Sequence, residues 1–245
     1  MTPPRIVLVP GLMNDADLWR DQIPALARVA HPVVADITRG DTLSALADAV
    51  LETGGPRFAL AGFSLGGIVA QEVLRKAPDR VTHLALLDTT ARPDDDARRE
   101  ERARLTALAR RPGHFHGFGD RIARAYLSAG NAANEDLVRR IRQMTTRLGP
   151  EVFVRQSLVQ RPDSRRSLRA VRCPSLVLCG AEDSITPPGL HREMAGLLPD
   201  ARLVVLPGAG HLSPMEKGPE VARELLRLLG QPAGMSTRDI AAEGE

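Results

Sequence analysis

Apolar positions along this chain follow two different periods. The short runs 6–9, 32–37, 58–61 and 83–87 are apolar at nearly every position, which reads as strands buried on both faces. Between them, 17–29, 42–52 and 65–76 carry apolar residues at helical spacing. In the first of these, Trp19, Ile23 and Leu26 recur on one side. Strands apolar throughout, alternating with helices, predict an α/β fold with a mostly parallel sheet and helices on both faces. The pattern changes after 83–87. Segments 94–111, 120–128, 134–148 and 151–159 are helix-like, and no strand pattern occurs from about 92 to 167. Alternation resumes with a strand at 175–179, a helix at 188–198, a strand at 202–206 and a helix at 219–229. The expected organisation is a core formed by 1–91 and 168–230, a helical lid inserted at 92–167, and a mobile tail at 231–245, where Pro, Gly, Ser and acids mix without period.

Chemistry enters where the third strand meets its helix. Gly62-Phe63-Ser64-Leu65-Gly66-Gly67 places a serine at the apex of a strand–turn–helix. G-x-S-x-G in that setting is a nucleophile elbow, a strained turn that presents the hydroxyl above the sheet edge. The flanking glycines keep a Cβ out of the close approach of strand and helix. A serine hydroxyl is a weak nucleophile and needs a positioned base, itself oriented by an acid. Asp183 follows the strand 175–179 and His211 follows the strand 202–206. Both therefore sit beyond strand carboxyl ends, where open parallel sheets build their sites. The order Ser64, Asp183, His211 is the one associated with this elbow. Asp88 at the end of 83–87, and Glu182, remain alternative acids, and a helix N-cap remains an alternative role for Ser64.

The elbow, the G-x-x-D loop ending at Asp183 and the G-x-G-H loop ending at His211 together resemble the α/β-hydrolase superfamily, in its cap-bearing esterase group, over about 5–230. The resemblance implies Ser64 as nucleophile, His211 as general base and then acid, and Asp183 as the group orienting the imidazole. It also implies an oxyanion hole from the backbone N–H groups of Leu65 and Leu12. Relatives commonly carry His-Gly where this chain has Pro10-Gly11, so contacts of that histidine side chain must be absent or replaced. The implied activity is carboxylic ester hydrolysis through an acyl-enzyme, with no metal or organic cofactor. Carbon–carbon bond hydrolases, lactonases, thioesterases, acyltransferases, perhydrolases and slow ligand sensors share the framework. A serine at the elbow argues against haloalkane dehalogenases and epoxide hydrolases, which use an aspartate. Expected substrate-lining residues are Phe115, Phe118, Tyr126, Leu127, Met144 and Phe153 from the lid, with Met13, Phe63 and Leu12 from below, a lining suited to small or medium apolar esters.

Composition narrows the partners. The chain has 245 residues, enough for a sizeable core, with 43% hydrophobic and 26% charged residues and a net charge of +3. Lys76 and Lys217 are its only lysines. Arginines are interspersed with acids and only 3% of residues are aromatic, which argues against nucleic-acid binding. Arg98, Arg99, Arg102 and Arg104 alternate with Glu100 and Glu101, as on a solvated helix face; attraction of an anionic acyl carrier is the less ordinary reading. His114-Phe115-His116 has the spacing of a zinc pair but no third ligand, so a polar lid turn is expected. His31, His83 and His191 read as surface or packing residues, and Ser213 and Glu216 as caps of the last helix. Cys173 and Cys179 flank one strand, about 20 Å apart at ~3.3 Å per residue, too far for a disulfide. Reduced thiols, no signal-peptide pattern and no apolar run near the ~20 residues of a membrane span predict a soluble cytoplasmic protein.

Overall fold

Six strands form one wholly parallel sheet in the computed structural model, which describes residues 3–111 and 113–230. They are β1 (Arg5–Val9), β2 (His31–Val34), β3 (Phe58–Phe63), β4 (Val81–Leu87), β5 (Ser175–Gly180) and β6 (Ala201–Leu206), arranged β2-β1-β3-β4-β5-β6. The uniform apolarity of the strands has a direct cause. Alternate residues feed two cores, Ile6 and Leu8 packing with Trp19 and Leu225 on one face, Val7 and Val9 with Val50 and Val69 on the other. The tail expected at 231–245 lies outside the described residues.

Helices α1 (Ile23–Leu26), α2 (Leu43–Gly54) and α3 (Leu65–Lys76) connect the early strands. The single helix expected over 17–29 is instead a 3-10 turn, Ala16–Trp19, followed by the short α1. Pro24 in the first turn of α1 explains the break, because it has no N–H to donate and is tolerated only near a helix start. β2 ends at Val34 rather than 37, although the Ala35 N–H still reaches Leu8 O at 3.0 Å.

Between β4 and β5 the described residues hold α4 (Asp96–Ala109), α5 (Asp120–Ala125), α6 (Glu135–Leu158) and α7 (Arg165–Leu168), and no strand. The helices expected at 134–148 and 151–159 are the two halves of α6, which breaks at Gly149 with φ 74° ahead of Pro150. After β5 come α8 (Pro188–Leu197), then, past β6, α9 (Ser213–Glu216) and α10 (Gly218–Leu228). The chain runs from β1 out to β2 and returns past β1 to β3. That reversal opens a crevice beyond the carboxyl ends of β1 and β3, and the loop after β1 and the elbow after β3 meet there.

Candidate active site

Ser64 adopts φ 51° and ψ −116°, a left-handed backbone that a residue with a side chain rarely takes. The surroundings enforce it. The Ser64 N–H donates to Leu87 O at 2.9 Å, and its carbonyl accepts from Gly67 N at 2.9 Å and from the Thr89 hydroxyl at 2.7 Å. A Cβ on Gly62 would fall 2.4 Å from Gly66 O, and one on Gly66 would fall 2.3 Å from Val9 O. Strand and helix are in backbone contact there, so only glycine fits at either position.

Asp183 and His211 occupy the loops after β5 and β6. His211 Nδ1 lies 2.9 Å from Asp183 Oδ2 and 3.1 Å from Oδ1, and Nε2 lies 3.1 Å from Ser64 Oγ. The backbone N–H of His211 donates to Tyr126 O at 2.8 Å. Its ring sits between those of Phe63 and Tyr126, with centroids 5.3 and 5.4 Å away. Asp183 accepts from the N–H groups of Ile185 and Thr186, both at 2.9 Å, and from the Thr186 hydroxyl at 2.7 Å. Burial pushes its carboxyl upward, but the bonds from His211 and Thr186 outweigh burial and hold it below the usual range.

The alternative acids face elsewhere. Asp88, fully buried with φ 45°, accepts from Gly180 N at 3.0 Å and from the Ser213 hydroxyl. Burial, and then the nearby charge of Asp183, drive its carboxyl well above the usual value. Glu182 accepts from Ala129 N at 2.8 Å. Of the three carboxyls, only Asp183 is paired with the imidazole. Ser213 thus serves Asp88 rather than capping a helix. Glu216 accepts from Gly210 N and Ser128 N, both at 2.8 Å, and so ties the histidine loop to the helical insertion.

The loop after β1 is secured without a histidine. Gln156 of α6 accepts from Met13 N at 2.8 Å and donates to Ile37 O at 3.2 Å. Leu12 lies in this same loop, and Leu65 is the first residue of α3. Sequence patterns gave no sign of Gln156, which lies far along the chain. They also passed over Thr89, and read His191 only as a surface or packing residue. His191 Nε2 accepts from Thr89 N at 3.0 Å directly behind the elbow, and burial brings this imidazole down to about 4. The position of Thr89 just past β4 was the one available signal.

A cavity of about 310 Å³ opens onto Ser64 and His211. Leu12, Phe63, Phe115, Phe118, Tyr126 and Phe153 line it, as expected. Met13, Leu127 and Met144 do not. All three are buried in the core beneath, with Met144 Sδ 3.9 Å from Asn14 Nδ2. The arginine run on α4 also divides. Arg99 pairs with Asp96 and Arg104 with Glu101 in the solvated manner expected, whereas Arg98 and Arg102 line the cavity. His116 Nε2 contacts Gly113 O at 2.8 Å, and His114 is at the cavity wall. Among the described residues no three His, Cys, Asp or Glu side chains are grouped to hold a metal, and no helix is long and apolar enough to cross a membrane.

Comparison with known proteins follows the same lines. The sequence matches the alpha/beta hydrolase family over residues 6–224. It is 30% identical over 250 residues to the pimeloyl-[acyl-carrier protein] methyl ester esterase of Aromatoleum aromaticum, covering 90% of this chain and 95% of that protein. A thermophilic esterase from Thermogutta terrifontis superposes with a TM-score of 0.83 at 32% identity, covering 94% of this chain and 90% of the other. The enol-lactonase from Burkholderia xenovorans LB400 also gives 0.83, over 94% and 93% of the two chains, but at 23% identity the likeness is one of fold.

Proposed function

This chain belongs to the alpha/beta hydrolase family, and we propose that it hydrolyses carboxylic esters through a Ser64–His211–Asp183 triad. The observation that carries the reading is the relay in which Ser64 Oγ lies 3.1 Å from His211 Nε2 while Nδ1 lies 2.9 Å from Asp183 Oδ2. Ser64 Oγ attacks the ester carbonyl as His211 takes its proton, and the tetrahedral oxyanion rests on the Leu12 and Leu65 N–H groups. His211 returns the proton to the departing alkoxide, leaving Ser64 acylated. Water then attacks with His211 again as base, the acid departs, and the proton returns to Ser64. Asp183, held as a carboxylate by its donors, keeps Nδ1 protonated and stabilises the imidazolium formed at each step.

The helical segment 92–167 acts as a lid in this reading, since α4, α5 and α6 contribute side chains to the cavity roof. A volume of about 310 Å³ and a mainly apolar lining suit esters of small or medium size. The esterase names of relatives at about 30% identity support ester cleavage. The two free cysteines fit a reducing compartment such as the cytoplasm.

Steady-state hydrolysis of p-nitrophenyl esters from acetate to decanoate tests the assignment. The wild type should show an optimum at short or medium chains. Ser64→Ala should lower kcat by roughly 10⁴-fold or more while the protein remains folded. Undiminished turnover in that variant would refute Ser64 as nucleophile. Parallel assays on lactones, thioesters and carbon–carbon cleavage substrates separate the neighbouring reactions that use the same triad.

A further inference from the structure

One stretch of the cavity wall is cationic. Arg98 and Arg102, one turn apart on α4, and Arg161, just beyond α6, line the cavity beside a single acid, Asp94. Arg102 holds Asp94 with two prongs, Nε to Oδ2 at 2.7 Å and Nη2 to Oδ1 at 3.1 Å. Arg161 approaches the same carboxylate at 3.8 Å with its side chain only 5% exposed. Its Nη1 donates to Val159 O at 2.6 Å and its Nη2 to Gln156 O at 3.3 Å. Arg98 donates to Ile185 O at 3.0 Å. Two guanidiniums, Arg102 and Arg161, therefore reach one partly buried carboxylate while the exposed Arg98 stands one turn away, so this wall carries more positive than negative charge, an imbalance that a bound anion offsets. Burial and the Arg102 charge press Arg161 down to about 10 despite Asp94, so it remains cationic at neutral pH. Capping of the α6 end accounts for Arg161's backbone bonds, but not for Arg98 and Arg102 at the cavity. The same cavity is lined by Ser64, His211 and Tyr126, so the arginines and the reacting centre share one enclosed space.

We propose that Arg98, Arg102 and Arg161 form a subsite for a carboxylate carried on the ester substrate itself, so that half-esters of dicarboxylic acids are preferred. This rests on the hydrolase reading above and names the substrate class within it. A guanidinium fork matches a planar carboxylate with two parallel bonds. One substrate carboxylate reduces the excess charge of the wall, and the apolar lining accommodates the methylenes between the two ends.

The test compares kcat/KM for monomethyl esters of dicarboxylic acids, from succinate to suberate, with methyl alkanoates of equal length. Wild type, Arg98→Gln and Arg102→Met are assayed side by side. At the best chain length the charged-to-neutral ratio should exceed roughly tenfold in the wild type and fall by at least about tenfold in each variant. Equal or greater activity on neutral esters throughout the series overturns the proposal, as does a ratio unmoved by both substitutions. A second arm titrates glutarate and adipate calorimetrically into Ser64→Ala, with and without Arg102→Met. Binding that the arginine substitution weakens supports the subsite independently of turnover; absent or unweakened binding overturns it. Failure of the Ser64 chemistry would show differently, as loss of turnover on charged and neutral esters alike with diacid binding intact.

Discussion

Two buried carboxyls lie close together at the carboxyl edge of the sheet, and their partners set them apart. Asp183 is surrounded by donors and stays ionised, whereas Asp88 is raised by burial and by the charge of Asp183. A carboxyl whose folded-state value is raised binds more protons folded than unfolded, so its contribution to stability falls as pH climbs from about 4. Asp88→Asn keeps an acceptor for Gly180 N and a partner for Ser213 without the charge. Its stability relative to wild type should therefore rise between pH 5 and pH 8 in urea melts; a relative stability that falls would contradict the raised carboxyl. Asp183→Asn should instead lower kcat by about 10⁴-fold, as removal of the charge behind a catalytic imidazole does elsewhere. The sequence made Ser64, Asp183 and His211 legible because each stands in a short motif at a strand end. It left Asp88 open as acid because strand ends carry such groups generally, and the choice depends on which one the imidazole meets.

At the level of elements, the strands and most helices were readable because burial on both faces leaves an unbroken apolar signature, and amphipathic spacing follows. The 17–29 helix failed at Pro24, where a local rule overrode a good apolar stripe. The lining failed differently. Met13, Leu127 and Met144 share composition with true cavity residues, and only packing decides which surface each one meets. Gln156 was invisible for a related reason, since its bonds to Met13 and Ile37 span more than a hundred residues. That side chain couples the second half of α6 to the loop bearing Leu12. Gln156→Ala leaves the buried Met13 N–H without its acceptor and should cost about 1–3 kcal/mol in urea unfolding. It should also lower kcat by roughly 10- to 100-fold with a smaller change in KM, by loosening the loop that bears Leu12. An unchanged kcat would mean that the loop keeps its shape without this tie.

For the whole molecule, a parallel sheet whose connections reverse at β1 and β3 brings Leu12, Ser64, Asp183 and His211 to one edge, where side chains of α4, α5 and α6 line the same cavity. Stability and site share this frame through His191, buried behind the elbow. Burial lowers its imidazole to about 4, below the ordinary 6.5, and its neutral ring accepts from Thr89. The unfolded chain therefore binds an extra proton between those values. Stability present above about pH 6.5 is lost as pH falls toward 4, by on the order of 3 kcal/mol. His191→Gln should flatten the pH dependence of unfolding in that window; an unchanged slope would reject His191 as its source. The most direct test of the triad is rapid acid quench of a p-nitrophenyl ester reaction, followed by peptide mass spectrometry. The account predicts an acyl group on Ser64, formed within the first turnover and absent from Ser64→Ala. Turnover with no acylated Ser64, or with the label on another residue, would contradict it.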